Sequence, residues 1–233
     1  MTRQPVKPAD RRRAPALGVG SVLFDLDGTL LDTARDLTAA LTAVCEEEQQ
    51  PPVDPALASK YVSTGAIGLV RLAFPEADAD THERLRQRLV AIYERQLCVH
   101  TRPYPGIIEL LDKLDAAGIV WGVVTNKMRY LAVPILDELG LLGRCATVVG
   151  GDTAARSKPF PDPIEFALRE LDAAPRTSVY VGDAEKDIIA GRAAGTHTVA
   201  VTWGYIVPGE DPYQWQADYT ITEPLQLLDL QSR

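Results

Sequence analysis

The chain predicts an α/β fold, a doubly wound parallel sheet carrying an inserted block of helices, on three observations. From about residue 102 onward, short β-rich apolar runs alternate with amphipathic helical stretches. That alternation is the pattern of a parallel sheet covered on both faces. A first strand stands earlier, at "VLF" of residues 22–24, and residues from about 34 to 100 then show only helical periodicity. The expected organisation is a flexible leader at 1–19, a core of 20–33 and 102–233, and a helical cap at 34–101.

Each element has a local reason. "TARDLTAALTAVCEEEQQ" puts Leu37, Leu41 and Val44 on one face, with Thr33 placed to cap the helix. "PPVDP" breaks it, and "PALASKYVSTGAIGLVRLAF" and "ADTHERLRQRLVAIYERQL" continue helically. "TRPYPG" is a stiff connector, after which "GIIELLDKLDAAG" is a helix stopped at Gly118. "IVWGVVT", "CATVVGG", "SVYVGD", "THTVAVTWGY" and "ADYTIT" are strands. "RYLAVPILDELG", "DPIEFALRELD", "EKDIIAGRAAG" and a final "PLQLLDLQ" are helices, Pro134 marking a kink or a first turn.

Composition limits the function. The 233 residues are 46% hydrophobic and 24% charged, with a formal charge of −8. Such a balance disfavours nucleic acid and anionic membranes as partners. No run reaches the roughly 18 apolar residues of a membrane span. Cys45, Cys98 and Cys145 are dispersed, without metal-site spacing, and read as reduced thiols of a cytoplasmic protein, monomer or homodimer. The basic leader ends in a strand rather than in a cleavage-type stretch.

Polar residues collect where strands end. The first strand runs into Asp25 and Asp27 of "DLDGT", with Gly28 freeing the backbone and Thr29 following. Two like charges that close form either an acidic turn or a seat for something positive. "WGVVTNK" ends in Thr125 and Asn126, "VYVGD" ends in Asp183 with Asp187 in the following turn, and Lys158 lies in the loop "RSKPFPDP". Taken alone, Asp183 or Thr125 is a helix cap and Lys158 a solvated lysine. Together they converge on the carboxyl edge of one sheet, where open α/β folds bind ligands.

In that order and strand context the residues resemble the haloacid dehalogenase-like hydrolases. "DLDGT", the Thr125 of "VVTN", the Lys158 of "SKP" and the "GDAEKD" holding Asp183 and Asp187 are similar to that family's four motifs, from about residue 20 to the C-terminus. Within it, "RPYPGIIELLDKL", "GGDTAARSKPFPDP" and "YVGDAEKDIIAGRAAG" resemble the phosphoglycolate phosphatase group. "WGYIVPGEDPYQWQADYTI" resembles the N-acetylmuramic acid 6-phosphate phosphatases, although Ile67 stands where their cap is expected to carry arginine. The resemblance implies a Rossmann-like core, a small helical cap and a small phosphorylated metabolite as substrate.

It also implies roles. Mg²⁺, a hard cation suited to oxygen ligands, is held by Asp25, Asp183 and the backbone carbonyl of Asp27, with Asp187 acting through water or by orienting a ligand. Asp25 is the nucleophile and forms an aspartyl-phosphate. Asp27 protonates the leaving alkoxide and then activates water. Thr125, with Thr29 or Asn126, donates to the phosphoryl oxygens, and Lys158 balances their charge. The cap turn at 63–69, including Gly65, is expected over the substrate, and Arg71 is either a contact there or a surface arginine. A phosphomutase acting on sugars shares these motifs. A receiver-like phosphoacceptor domain, the rival without catalysis, is about half this length and has no helical insert.

Overall fold

The computed structural model describes residues 19–230, so the leader expectation lies outside the described residues for all but Val19. β1 (Ser21–Phe24) is buried along its whole length, as a central parallel strand must be. A two-residue strand, β2 (Leu31–Asp32), precedes α1 (Ala34–Glu47), α2 (Pro55–Lys60), a 3-10 turn at Val62–Thr64, α3 (Gly65–Ala73) and α4 (Ala79–Glu94). β3 (Arg102–Pro103) then pairs antiparallel with β2, so both chain crossings between strand and helical block lie side by side. Two residues carry no periodicity, so this pair is not legible in the sequence.

The remainder alternates as expected: α5 (Ile107–Ala117), β4 (Val120–Val124), α6 (Arg129–Glu138), β5 (Val148–Val149), α7 (Asp162–Glu170), β6 (Ser178–Gly182), α8 (Glu185–Ala193), β7 (His197–Val201) and β8 (Tyr219–Ile221). The six-stranded sheet has the order β5-β4-β1-β6-β7-β8, every pairing parallel. β1 therefore lies between β4 and β6, and the chain reverses its direction of winding there.

Local chemistry accounts for most boundaries. Asp54 and Asp78 cap α2 and α4, accepting from Ala56 N at 2.9 Å and Thr81 N at 2.8 Å. α5 stops at Gly118, whose φ of +72° suits glycine. α6 continues through Pro134. Three expectations change. Thr33 occupies the N-cap position of α1 but makes no capping bond; its hydroxyl donates to Asp27 instead, and the Asp32 carboxylate and Tyr205 hydroxyl accept from the helix start. "CATVVGG" contributes only two strand residues, and "PLQLLDLQ" is a 3-10 stretch, Pro224–Asp229.

Leu85, Leu89 and Tyr93, spaced by four on α4, bury toward Leu37, Leu41 and Val44 of α1. The same hydrophobic interior continues to Val22 and Phe24 of β1. The three cysteines are free thiols, two of them buried. Among the described residues no helix is long and apolar enough to cross a membrane.

Candidate active site

Hydrophobic residues drive β1, β4 and β6 into the interior, and each strand releases a polar side chain at its carboxyl end: Asp25, Thr125 and Asp183. Asp25 is 6% exposed and its Oδ1 accepts from Leu26 N at 2.8 Å. Lys158 reaches the same oxygen at 2.9 Å and Asp187 Oδ1 at 2.7 Å. The Tyr180 hydroxyl and Val124 carbonyl complete the surroundings of the ammonium. Burial opposes the charge of Lys158, but Asp187 and Asp25 outweigh it and push its pKa well up.

The loop holding Lys158 is itself clamped. Asn126 Oδ1 accepts from Lys158 N and Asn126 Nδ2 donates to Lys158 O, each at 3.0 Å. Asn126 was expected as a phosphate donor; its side-chain amide is instead engaged in fixing the lysine's direction. Asp187 accepts from Ala184 N at 3.1 Å and from the Tyr180 hydroxyl at 3.5 Å as well as from Lys158. It therefore caps α8 and orients the lysine at once.

Asp25, Asp183 and Asp187 offer carboxylate oxygens within 4.8 Å of one another, all buried. Burial and the charges of Asp25 and Asp187 raise the Asp183 pKa to about 8, and burial also raises that of Asp25 against the pull of Lys158. An all-oxygen donor set with more negative charge than its one lysine balances fits a hard divalent cation such as Mg²⁺. The approach is tight: a Cβ on Gly28, whose φ is +85°, would lie 2.0 Å from Asp183 Oδ2. Only glycine suits that position.

Asp27 stands apart from this cluster. Its Oδ1 accepts from Lys127 Nζ at 2.8 Å and from Thr33 Oγ1 at 2.6 Å. Lys127 is buried beneath α4, its ammonium 4.7 Å from the centre of the Tyr93 ring. Burial acts against its charge, yet Asp27 and Tyr93 raise its pKa overall. Sequence reasoning missed Lys127 and Tyr93. Lys127 follows Thr125 by two residues and is legible as part of the strand-end motif, whereas Tyr93, one aromatic within the helical stretch "ADTHERLRQRLVAIYERQL", belongs to no motif.

A cavity of about 240 Å³ lies over Asp25 and Asp27, between the sheet edge and the helical block. Thr125, Asn126 and Lys127 line its floor, and Gly65, Ile67 and Tyr93 its roof. Two expected substrate contacts are placed elsewhere. Thr29 is fully buried behind the cluster, its hydroxyl 3.5 Å from Asp183 Oδ1. Arg71 is exposed on α3 and is not among the lining residues; Arg86 of α4 is. Ser63, within the expected cap turn, reaches Asp183 Oδ2 at 3.1 Å and the Tyr205 carbonyl at 2.8 Å, and Lys186 donates to the Ser63 carbonyl. Tyr205 N also donates to Asp183 Oδ2, at 2.8 Å.

Comparison with known proteins agrees with this architecture. The family model described as haloacid dehalogenase-like hydrolase matches residues 22–201. A phosphoglycolate phosphatase of Xanthomonas campestris is 44% identical over 89% of this chain and 94% of its own length. An N-acetylmuramic acid 6-phosphate phosphatase of Pseudomonas aeruginosa is 42% identical over 91% of this chain and 95% of its own. The crystal structure of a predicted phosphoglycolate phosphatase from Haemophilus somnus superposes with a TM-score of 0.82 at 26% identity, covering 91% of this chain and 97% of the other.

Proposed function

This chain belongs to the haloacid dehalogenase-like hydrolase family, and from that premise we propose that it is a Mg²⁺-dependent phosphomonoesterase acting on a small phosphorylated metabolite through an aspartyl-phosphate. The observation that carries the reading is the buried set of Asp25, Lys158, Asp183 and Asp187 beneath a cavity that also admits Asp27.

In this reading Asp25 attacks phosphorus, and the buried Lys158 beside it favours the ionised carboxylate over the burial that disfavours it. Asp25, Asp183 and Asp187 are the side chains that would hold Mg²⁺. When bound, that ion supplies positive charge for the phosphate oxygens. Thr125 donates to a phosphoryl oxygen at the floor of the cavity. Asp27, on a backbone freed by Gly28, gives its proton to the departing alkoxide and later takes one from water. Thr33 and Lys127 both donate to Oδ1 of this acid, which leaves Oδ2 to carry the proton it gives up and later regains. Residues 34–101 act as the cap, excluding water while the phosphoryl group moves.

Relatives of nearly equal similarity act, by name, on phosphoglycolate and on N-acetylmuramic acid 6-phosphate. The cavity of about 240 Å³ is smaller than the roughly 300–1,000 Å³ usual for drug-sized ligands. It favours the smaller ester. Turnover of p-nitrophenyl phosphate with Mg²⁺, abolished by EDTA and restored by added Mg²⁺, is the expected result. Full activity in EDTA removes the reading.

A further inference from the structure

Among the described residues, one buried side-chain polar atom lacks a hydrogen-bond partner: the hydroxyl of Tyr93. Tyr93 is 2% exposed and lines the cavity from the cap side. Leaving such a donor unmade costs about 1–3 kcal/mol, so an unsatisfied buried group in a native fold calls for a specific explanation, a functional role among them. Beside it lies the Lys127 ammonium, 4.7 Å from the centre of the ring and near enough for its charge to act on the hydroxyl.

Lys127 also has donors to spare. An ammonium carries three N–H groups, and its hydrogen bond in this structure goes to Asp27. The other cations around the cavity differ. Arg86 is held in a fork by Glu83, at 2.7 Å and 2.6 Å, on a partly exposed pair. Lys186 donates to the Ser63 carbonyl. The charge of Lys186 acts on Asp25 and Asp183, whereas the spare donors beside Asp27 are those of Lys127 and Tyr93, in a cavity also lined by the apolar side chains of Leu37, Val90 and Leu131.

We propose that Lys127 and the Tyr93 hydroxyl form an anion pocket across the cap–core seam that receives a carboxylate on the leaving group. The pocket makes the protein selective for small phosphorylated hydroxy acids over neutral phosphate esters of the same size. This rests on the phosphatase reading above and adds to it the residues that choose the substrate. A carboxylate there accepts from both donors, and the apolar surroundings strengthen those bonds. A neutral ester leaves both donors unmade, which is the arrangement that discriminates most strongly between otherwise similar substrates.

The test compares 2-phosphoglycolate with isobutyl phosphate, which keeps the branched shape and number of heavy atoms but offers no acceptor in place of the carboxylate, using the full chain with Mg²⁺. A charged hydrogen bond of about 1.5–3 kcal/mol corresponds to a preference of roughly 10- to 100-fold in kcat/KM for the acid. Tyr93→Phe, which removes only the hydroxyl, narrows that ratio at least about fivefold, mainly through the KM of the acid. Lys127→Met slows both esters, because Asp27 loses its partner, and narrows the ratio as well. Equal kcat/KM for the two esters in the wild type, or an unaltered ratio in Tyr93→Phe, overturns the pocket alone. Turnover of neither ester, nor of p-nitrophenyl phosphate, overturns the phosphatase reading and the pocket with it.

Discussion

Lys158 and Asp25 form a buried ion pair, 2.9 Å between Nζ and Oδ1, in which the lysine side chain is wholly shielded from solvent. The same ammonium holds Asp187 at 2.7 Å, so one lysine answers two carboxylates that face a third, Asp183. Lys158→Met leaves those acids uncompensated. Removing one partner of a buried pair costs about 3–5 kcal/mol, and urea unfolding in EDTA is expected to register a loss of that order. Turnover should fall at least about 100-fold. A variant with wild-type stability and rate shows that the pair is dispensable.

The acidic cluster also sets the pH dependence of the metal-free protein. Asp183 is raised from 3.8 to about 8, and Asp25 moves in the same direction. Between these values the native state retains a proton that the unfolded chain has released, so stability declines as pH rises. EDTA-treated protein is expected to have a higher urea midpoint near about pH 5.5 than near about pH 8.5. Saturating Mg²⁺ holds the carboxylates ionised and shrinks the difference. A metal-free midpoint that increases with pH across this window contradicts the clustering.

Gly28→Ala tests how closely the first turn approaches Asp183. The added Cβ lies 2.0 Å from Oδ2, on a backbone with φ of +85°. Strain of this kind costs about 1–3 kcal/mol before any clash is relieved. Relief requires moving Asp183, so activity is expected to drop by about 100-fold or more. Retention of more than about half of the activity would mean that the turn yields without disturbing Asp183.

Much of this site was legible because strand ends are local signals. Hydrophobic runs that stop at Asp25, Thr125 and Asp183 name the carboxyl edge of the sheet before any contact is known. Lys158 and Asp187 follow from the same logic in adjoining loops. What was not legible depends on contacts distant in sequence. Asn126 clamps Lys158 from 32 residues away, Ser63 reaches Asp183 across 120, and Lys127 meets Asp27 across 100. Thr33 illustrates the limit from the other side: its capping position was readable, but Asp27 competes for its hydroxyl and Tyr205 takes over the helix start.

Asp36 fastens the second crossing between helical block and sheet. Its buried carboxylate accepts from His100 N at 2.9 Å, Thr101 N at 2.9 Å and Thr101 Oγ1 at 2.7 Å. Asp36→Ala strands those donors, and a loss of about 2–4 kcal/mol is expected in chemical denaturation with an unchanged m-value. A change smaller than about 0.5 kcal/mol, the usual range for an unremarkable surface site, shows that the crossing does not depend on this carboxylate.

The central claim is covalent capture of phosphate by Asp25, and acid-quenched single turnovers examined by peptide mass spectrometry test it most directly. p-Nitrophenyl phosphate has a leaving group that needs little protonation, so Asp27→Asn should be phosphorylated and then stall, because its base for water is gone. The predicted result is one added phosphoryl group on the peptide holding Asp25, present in Asp27→Asn and absent when Asp25→Asn is combined with it. Label on another residue, or none at any time while nitrophenol is released, contradicts the account.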